Sequence, residues 1–179
     1  GMGASSAFTV ALLHALYALR SARPFRMTLA REAIEIEHGL RGAATGMQDQ
    51  VACAVGGLNE IVFEKGCTFR VCPVERVSDA RYVGLQNHLM LAFTGVQRSA
   101  DDIVEEQLRG ATAHAAELNA LRSLVADGIA VLQSDTVDIT EFGSLLDDGW
   151  KLKRALSPHI SNPHIDSLYP RAREAGAIG

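Results

Sequence analysis

The chain has 179 residues, 47% of them hydrophobic and 21% charged, with a formal net charge of −4. That balance is the one of a soluble globular protein with one large domain or two small ones. It speaks against a nucleic-acid-binding protein, because the densest basic stretches, Arg20 to Arg26 and Lys151 to Arg154, are short and read as solvated helix surface.

In chain order, Ser5 or Ser6 is placed to cap a first helix that runs to about Arg20, ahead of Pro24. Ala7 to Leu19 is apolar apart from Thr9 and His14. It is too short to span a membrane and no basic region precedes it, so a buried core helix is predicted, with His14 packed in the core or at an interface. A second helix spans about Leu29 to Leu40. Leu29, Ala33, Ile36 and Leu40 recur on one face and Glu32, Glu35 and Glu37 lie on the other. A third, short helix runs from near Met47 to Gly56-Gly57. Leu58 to Phe63 and Thr68 to Val74 then read as a hairpin joined around Glu64-Lys65-Gly66, and Leu89 to Phe93 as a buried strand ended by Thr94-Gly95.

Ser99-Ala100-Asp101-Asp102 supplies the start of a long helix whose face is marked by Val104, Leu108, Ala111, Ala115, Leu118 and Val125. A shorter helix covers about Glu141 to Leu156. The last opens at Asn162-Pro163 and closes at Gly176. Ala177-Ile178-Gly179 reads as the beginning of a further strand. This order predicts an α+β, two-lobed protein divided between Cys72 and Leu89, with domains 1–84 and 85–179. Three cysteines, Cys53, Cys67 and Cys72, cannot all pair, which fits a reducing, cytoplasmic setting. No histidine pair stands near them at zinc spacing.

Chemistry concentrates in two short segments. The opening Gly1-Met2-Gly3-Ala4-Ser5-Ser6-Ala7 runs small residues and two hydroxyls into an apolar helix. Glycine lets backbone approach an oxyanion, and the N–H groups of a helix's first turn favour negative charge. The loop suits phosphate, although a plain helix cap behind two small residues would look similar. The Gly-Lys-Ser/Thr ending of a P-loop is absent. In Gly46-Met47-Gln48-Asp49-Gln50, Asp49 stands between two amides within a run without other charges from Gly42 to Asn59. An acid near a helix start is commonly a dipole partner. It also suits the role of taking or orienting the proton of an acceptor hydroxyl, with Gln48 and Gln50 holding it or the substrate. Ser6 and Glu37 together could hold a magnesium ion, which keeps several waters, and Glu35 and Glu32 compete for the second role.

In this order, these elements resemble the GHMP kinase superfamily. Gly1 to Ala7 is similar to its phosphate-binding loop. Glu37, twelve residues before Asp49, matches the spacing of a magnesium-associated glutamate. Gly46 to Gln50 is similar to the sugar-kinase segment whose aspartate is the presumed base. Gln48-Asp49-Gln50 followed by Ala54-Val55-Gly56-Gly57-Leu58-Asn59, then Phe93 to Ala100, Lys151 to Arg154 and Ile160 to Asp166, resemble the heptose 7-phosphate kinase branch.

The resemblance implies a ribosomal protein S5 domain 2-like lobe and a ferredoxin-like C-terminal lobe, both incomplete. It implies ATP bound by Gly1, Gly3, Ala4, Ser5 and Ser6, and Mg2+ held by Ser6 and Glu37. The acceptor is a sugar or sugar phosphate met by Gln48, Gln50 and Arg98, with Asp49 as base. Arg98 is drawn to an anionic substrate because a guanidinium grips phosphate with two bonds. Relative to the family, a region before the loop and a glycine-rich third motif are absent. The chain alone is therefore expected to be nearly inactive and to form a homo-oligomer that covers the exposed surface. The alternatives are a non-catalytic fragment that only folds or binds a partner, and a generic anion-binding domain.

Overall fold

A glycine in the left-handed region starts the first helix. Gly3, with φ 65° and ψ 22°, is the N-cap of α1, Ala4–Leu19, a conformation that costs an L-residue but not glycine. Ser5 and Ser6 therefore lie inside the first turn and do not cap it. The computed structural model describes residues 3–41, 46–64, 66, 68–95 and 114–179. They fall into two compact units, Gly1–Pro73 and Val74–Gly179. The first holds α1, α2 (Arg26–Arg41), α3 (Gln48–Val55), β1 (Asn59–Glu64) and β2 (Thr68–Pro73). The second holds α4 (Asp79–His88), α5 (Ala115–Gln133), α6 (Thr140–Leu156) and α7 (Pro163–Glu174). The architecture mixes helix with a small sheet, the antiparallel β1–β2 pair being the sheet among the described residues.

In the first unit, Ala30 and Ile34 of α2 and Val51 of α3 form a core against which Ile61, Phe69 and Val71 of the hairpin pack. The hairpin register sets Ile61 opposite Val71 and Phe63 opposite Phe69, so large apolar side chains meet across the strands. The predicted face of α2 needs correction. Leu29, Ala30, Ala33, Ile34 and Glu37 are buried, whereas Ile36 is exposed. Positions 30, 33, 34 and 37 form one helical stripe, and the small alanines on it face α3 and the core. That stripe carries Glu37 inward, not to solvent.

α1 is not the buried core helix its composition predicts. It buries Ser6 and Val10 and leaves Phe8, Leu12, Leu16 and Leu19 exposed, because α2 and α3 cover one side of it. His14 is likewise on the surface, lining a cleft with Ala18, Ser21, Ala22 and Arg23, not in the core.

The second unit begins with a helix that the apolar spacing of its sequence does not signal. α4 is capped by Ser78, whose Oγ accepts from the Arg81 N–H at 3.2 Å, with Asp79 in its first turn. Leu89 to Phe93, predicted as a buried strand, forms no strand, and Met90 and Phe93 are almost fully exposed. A strand needs a neighbour for its backbone, and no described segment pairs with this one. The long-helix start at Ser99 to Asp102 and its marks Val104, Leu108 and Ala111 lie outside the described residues. α5 and α6 pack with glycine at the contact: the Phe142 ring stands 3.4 Å from where a Cβ on Gly128 would be. Asn162 caps α7 as predicted, its Oδ1 accepting from the Ile165 N–H at 2.9 Å with Pro163 at the first helical position.

One polar cluster ties α6 to α7. Buried Asp147 accepts from the Tyr169 hydroxyl at 2.6 Å and pairs with Lys151 at 2.7 Å and Arg173 at 3.7 Å. The hydrogen bond from Lys151, then that from Tyr169, hold the Asp147 carboxyl below its ordinary 3.8. Burial first, then Asp147, push the Tyr169 phenol up to about 12. A depressed carboxylate stabilises the fold above its unfolded pKa and loses that contribution as pH falls through the folded one. Thermal unfolding followed from about pH 5 to about pH 2 should therefore show acid loss of stability that Asp147→Asn flattens. In the same variant, ultraviolet titration should move the Tyr169 midpoint down toward 10.0 while burial keeps part of the rise. An unmoved midpoint would contradict the assignment of this hydrogen bond.

Candidate functional site

Three helices of the first unit converge at the start of α1. The Ala7 N–H donates to the Gly3 carbonyl at 2.8 Å as the first turn closes, so the N–H groups of Ala4, Ser5 and Ser6 precede the helical ladder. No side chain caps this end and no acid sits in its first turn. The positive end of the helix dipole is thus left for an anion.

Glu37 arrives from α2 on the buried stripe, and Asp49 and Gln50 arrive from the first turn of α3. Ser6 Oγ donates to Glu37 Oε2 at 3.2 Å, and Gln50 Nε2 donates to the same oxygen at 2.6 Å. Glu37 Oε1 and Gln50 Oε1 are buried without a hydrogen-bond partner. Asp49 lies against the loop: a Cβ on Gly3 would stand 3.3 Å from Asp49 Cβ and Cγ and 3.4 Å from Oδ2. Its side chain is exposed, as are Ala4, Ser5 and Gln48.

The structure thus brings Gly3, Ala4, Ser5, Ser6, Glu37, Asp49 and Gln50 into one neighbourhood. Gln50, offered by the sequence to a substrate, is 2% exposed and points its amide nitrogen at Glu37. Gln48 stays on the surface beside Gly46. Gly1 and Arg98 lie outside the described residues. The chemistry of the donors fits a hard divalent cation. A hydroxyl and a carboxylate with one orphaned oxygen are both oxygen ligands, and magnesium takes few protein ligands beside water and phosphate. Among the described residues no group of three or more His, Cys, Asp or Glu could hold a metal by itself. A cation here would depend on oxygens from a bound phosphate.

Sequence reasoning missed Cys53. It follows Asp49 by one helical turn, and its Sγ lies 3.9 Å from the Gly3 carbonyl oxygen. The signal was the i, i+4 spacing from Asp49 on α3. Burial, then the charges of Asp49 and Glu37, raise its thiol above the ordinary 9.0. The thiolate is the reactive form, so alkylation of Cys53 should be slower than that of a free thiol at neutral pH and accelerate with alkalinity. Inorganic pyrophosphate bound at the uncapped start of α1 would add negative charge and bulk beside it and slow alkylation further. Peptide mass spectrometry of iodoacetamide-treated protein reads both effects, and a rate indifferent to pyrophosphate would show that this helix start takes no anion.

Residues 1–57, which contain every member of this cluster, match the family described as the GHMP kinases N terminal domain. The chain is 29% identical over 180 residues to D-glycero-alpha-D-manno-heptose 7-phosphate kinase of Campylobacter jejuni, an alignment covering 99% of this chain and 52% of that protein. It is 25% identical over 174 residues to the bifunctional fucokinase/GDP-fucose pyrophosphorylase of Arabidopsis thaliana, covering 94% of this chain and 16% of that protein. The chain therefore spans about half the length of the first relative. No helix among the described residues is long and apolar enough to cross a membrane.

Proposed function

We propose that this chain is part of a GHMP-type kinase and that it serves ATP-dependent phosphoryl transfer to a hydroxyl of a sugar phosphate resembling heptose 7-phosphate. The observation that carries the reading is the convergence of Ser6 and Glu37 with Asp49 at the uncapped start of α1. The first unit is then part of the ATP-binding, S5 domain 2-like lobe, and the second part of a ferredoxin-like C-terminal lobe. Both relatives' names support a sugar acceptor, and the Campylobacter protein's name supports one that already bears a phosphate.

Each residue has a separate task. Gly3 admits phosphate oxygens close to backbone because it carries no side chain, and the first-turn N–H groups of α1 bind them. Ser6 and Glu37 would hold Mg2+, which supplies charge neutralisation at the phosphates of ATP. Asp49 accepts or orients the proton of the acceptor hydroxyl. It is exposed and next to Gly3, so it faces the same space as the loop. Gln48, on the surface beside it, is assigned to hydroxyls of the sugar, and Arg98 to the acceptor's anionic end.

The test is ADP release by the protein that carries this sequence, given ATP, Mg2+ and a panel of aldoses and aldose phosphates. Release that depends on the acceptor, and is greatest for a sugar phosphate, is expected, with a new phosphorus resonance for the product. ADP release independent of every acceptor would overturn the proposal.

A further inference from the structure

The two oxygens of Glu37 are treated differently by their surroundings. Oε2 takes both the Ser6 hydroxyl proton and a Gln50 amide proton, the latter at 2.6 Å. Oε1 takes none, though it is buried. Gln50 is nearly inaccessible and leaves its own carbonyl oxygen unpaired. An amide half-satisfied in a protein interior is a poor choice for packing, since an apolar side chain of similar size would avoid the desolvation loss. The next residue, Val51, belongs to the core, so α3 would stay anchored without an amide at position 50. What Gln50 contributes is its donor, which spans from α3 to α2 and fixes the carboxylate's rotation.

We propose that Gln50 is a positioning residue for Glu37: with Ser6 it occupies Oε2, so that Oε1 is the oxygen presented to a divalent cation. A hydroxyl has one proton and two lone pairs. With its proton committed to Glu37, Ser6 offers those lone pairs toward the same cation. Gln50 also follows Asp49 directly in α3, so the residue that sets the cation's carboxylate is fused to the one that faces the acceptor. The inference rests on the kinase reading above and deepens it.

The experiment is Mn2+ titration of the protein that carries this sequence in the presence of ADP, followed by the electron paramagnetic resonance signal of free Mn2+, with metal-free ADP affinity measured beside it. Gln50→Met keeps length and helix propensity and removes the donor. Outer partners of metal ligands typically change metal affinity by about 10- to 100-fold. Gln50→Met should weaken Mn2+ binding about tenfold or more and leave metal-free ADP affinity unchanged within about twofold. A variant that loses both affinities in equal proportion is only destabilised, and one that binds Mn2+ like the parent does not position Glu37; either result overturns the proposal while the kinase reading stands. No ADP-dependent Mn2+ binding by the parent protein would overturn both.

A second measurement needs no variant to fold. In parent protein labelled with [15N]glutamine, the Gln50 side-chain amide should exchange slowly and be broadened by Mn2+ with ADP before that of exposed Gln48. Equal broadening of the two would also overturn the proposal.

Discussion

In the protein that carries this sequence, Asp49→Asn is expected to lower kcat for sugar phosphorylation about 10²- to 10⁴-fold, the usual contribution of a positioned general base. That is about 3 to 5 kcal/mol of transition-state stabilisation. The amide keeps the shape and can still hydrogen-bond, so Gly3 retains its neighbour and the loop its geometry. What it loses is the capacity to take a proton. Nucleotide binding should stay close to that of the parent, because the first-turn N–H groups of α1, Ser6 and Glu37 are untouched. A fall in kcat with ATP affinity kept marks an interaction realised in the transition state. Steady-state kinetics with ATP varied at saturating acceptor checks this, and equal turnover in variant and parent would remove Asp49 from the chemistry.

Gly3→Val is expected to have the second-largest effect, and it probes the loop instead of the acid. Gly3 has φ 65°, where an L-residue pays about 1–2 kcal/mol. Its Cβ would also meet Asp49 Cβ and Cγ at 3.3 Å, closer than side chains ordinarily stand. Both costs fall on the junction between the start of α1 and α3. The variant should lose ADP affinity by about tenfold or more, since the anion's approach and the first turn are disturbed together. Its melting temperature should fall as well. Gly3→Ala should show the same changes at smaller size, and calorimetric titration with ADP measures them. An alanine variant binding ADP like the parent would show that the close approach at Gly3 does not serve the anion.

Much of the first unit was legible because its signals are local. Helical spacing of apolar residues, the glycine pair after α3 and the hairpin turn between β1 and β2 each act over a few residues. The direction of Glu37 was not legible. Choosing Ile36 over Ile34 as the inward residue turns α2 enough to send Glu37 to solvent, and only packing of Ala30, Ala33 and Ile34 against the core decides between them. α4 was missed for the opposite reason. It buries only Leu85, so its apolar periodicity is weak, and its legible signal was the Ser78-Asp79 cap. Leu89 to Phe93 has strand-like composition, yet a strand exists only where another backbone accepts its hydrogen bonds. Proximity of Ser6, Glu37 and Asp49 was readable only through the resemblance of motif order; the bonds from Gln50 and the thiol of Cys53 beside Gly3 are tertiary facts that no spacing encodes by itself.

The measurement that bears most directly on the shared site is a crystal structure with Mg2+ and a non-hydrolysable ATP analogue. The expected density places the phosphates at the start of α1, with the cation beside Ser6 Oγ and Glu37 Oε1 and the Asp49 carboxylate facing the terminal phosphate. A nucleotide bound away from the Gly3–Ser6 turn, or an Asp49 side chain directed away from the terminal phosphate, would contradict it.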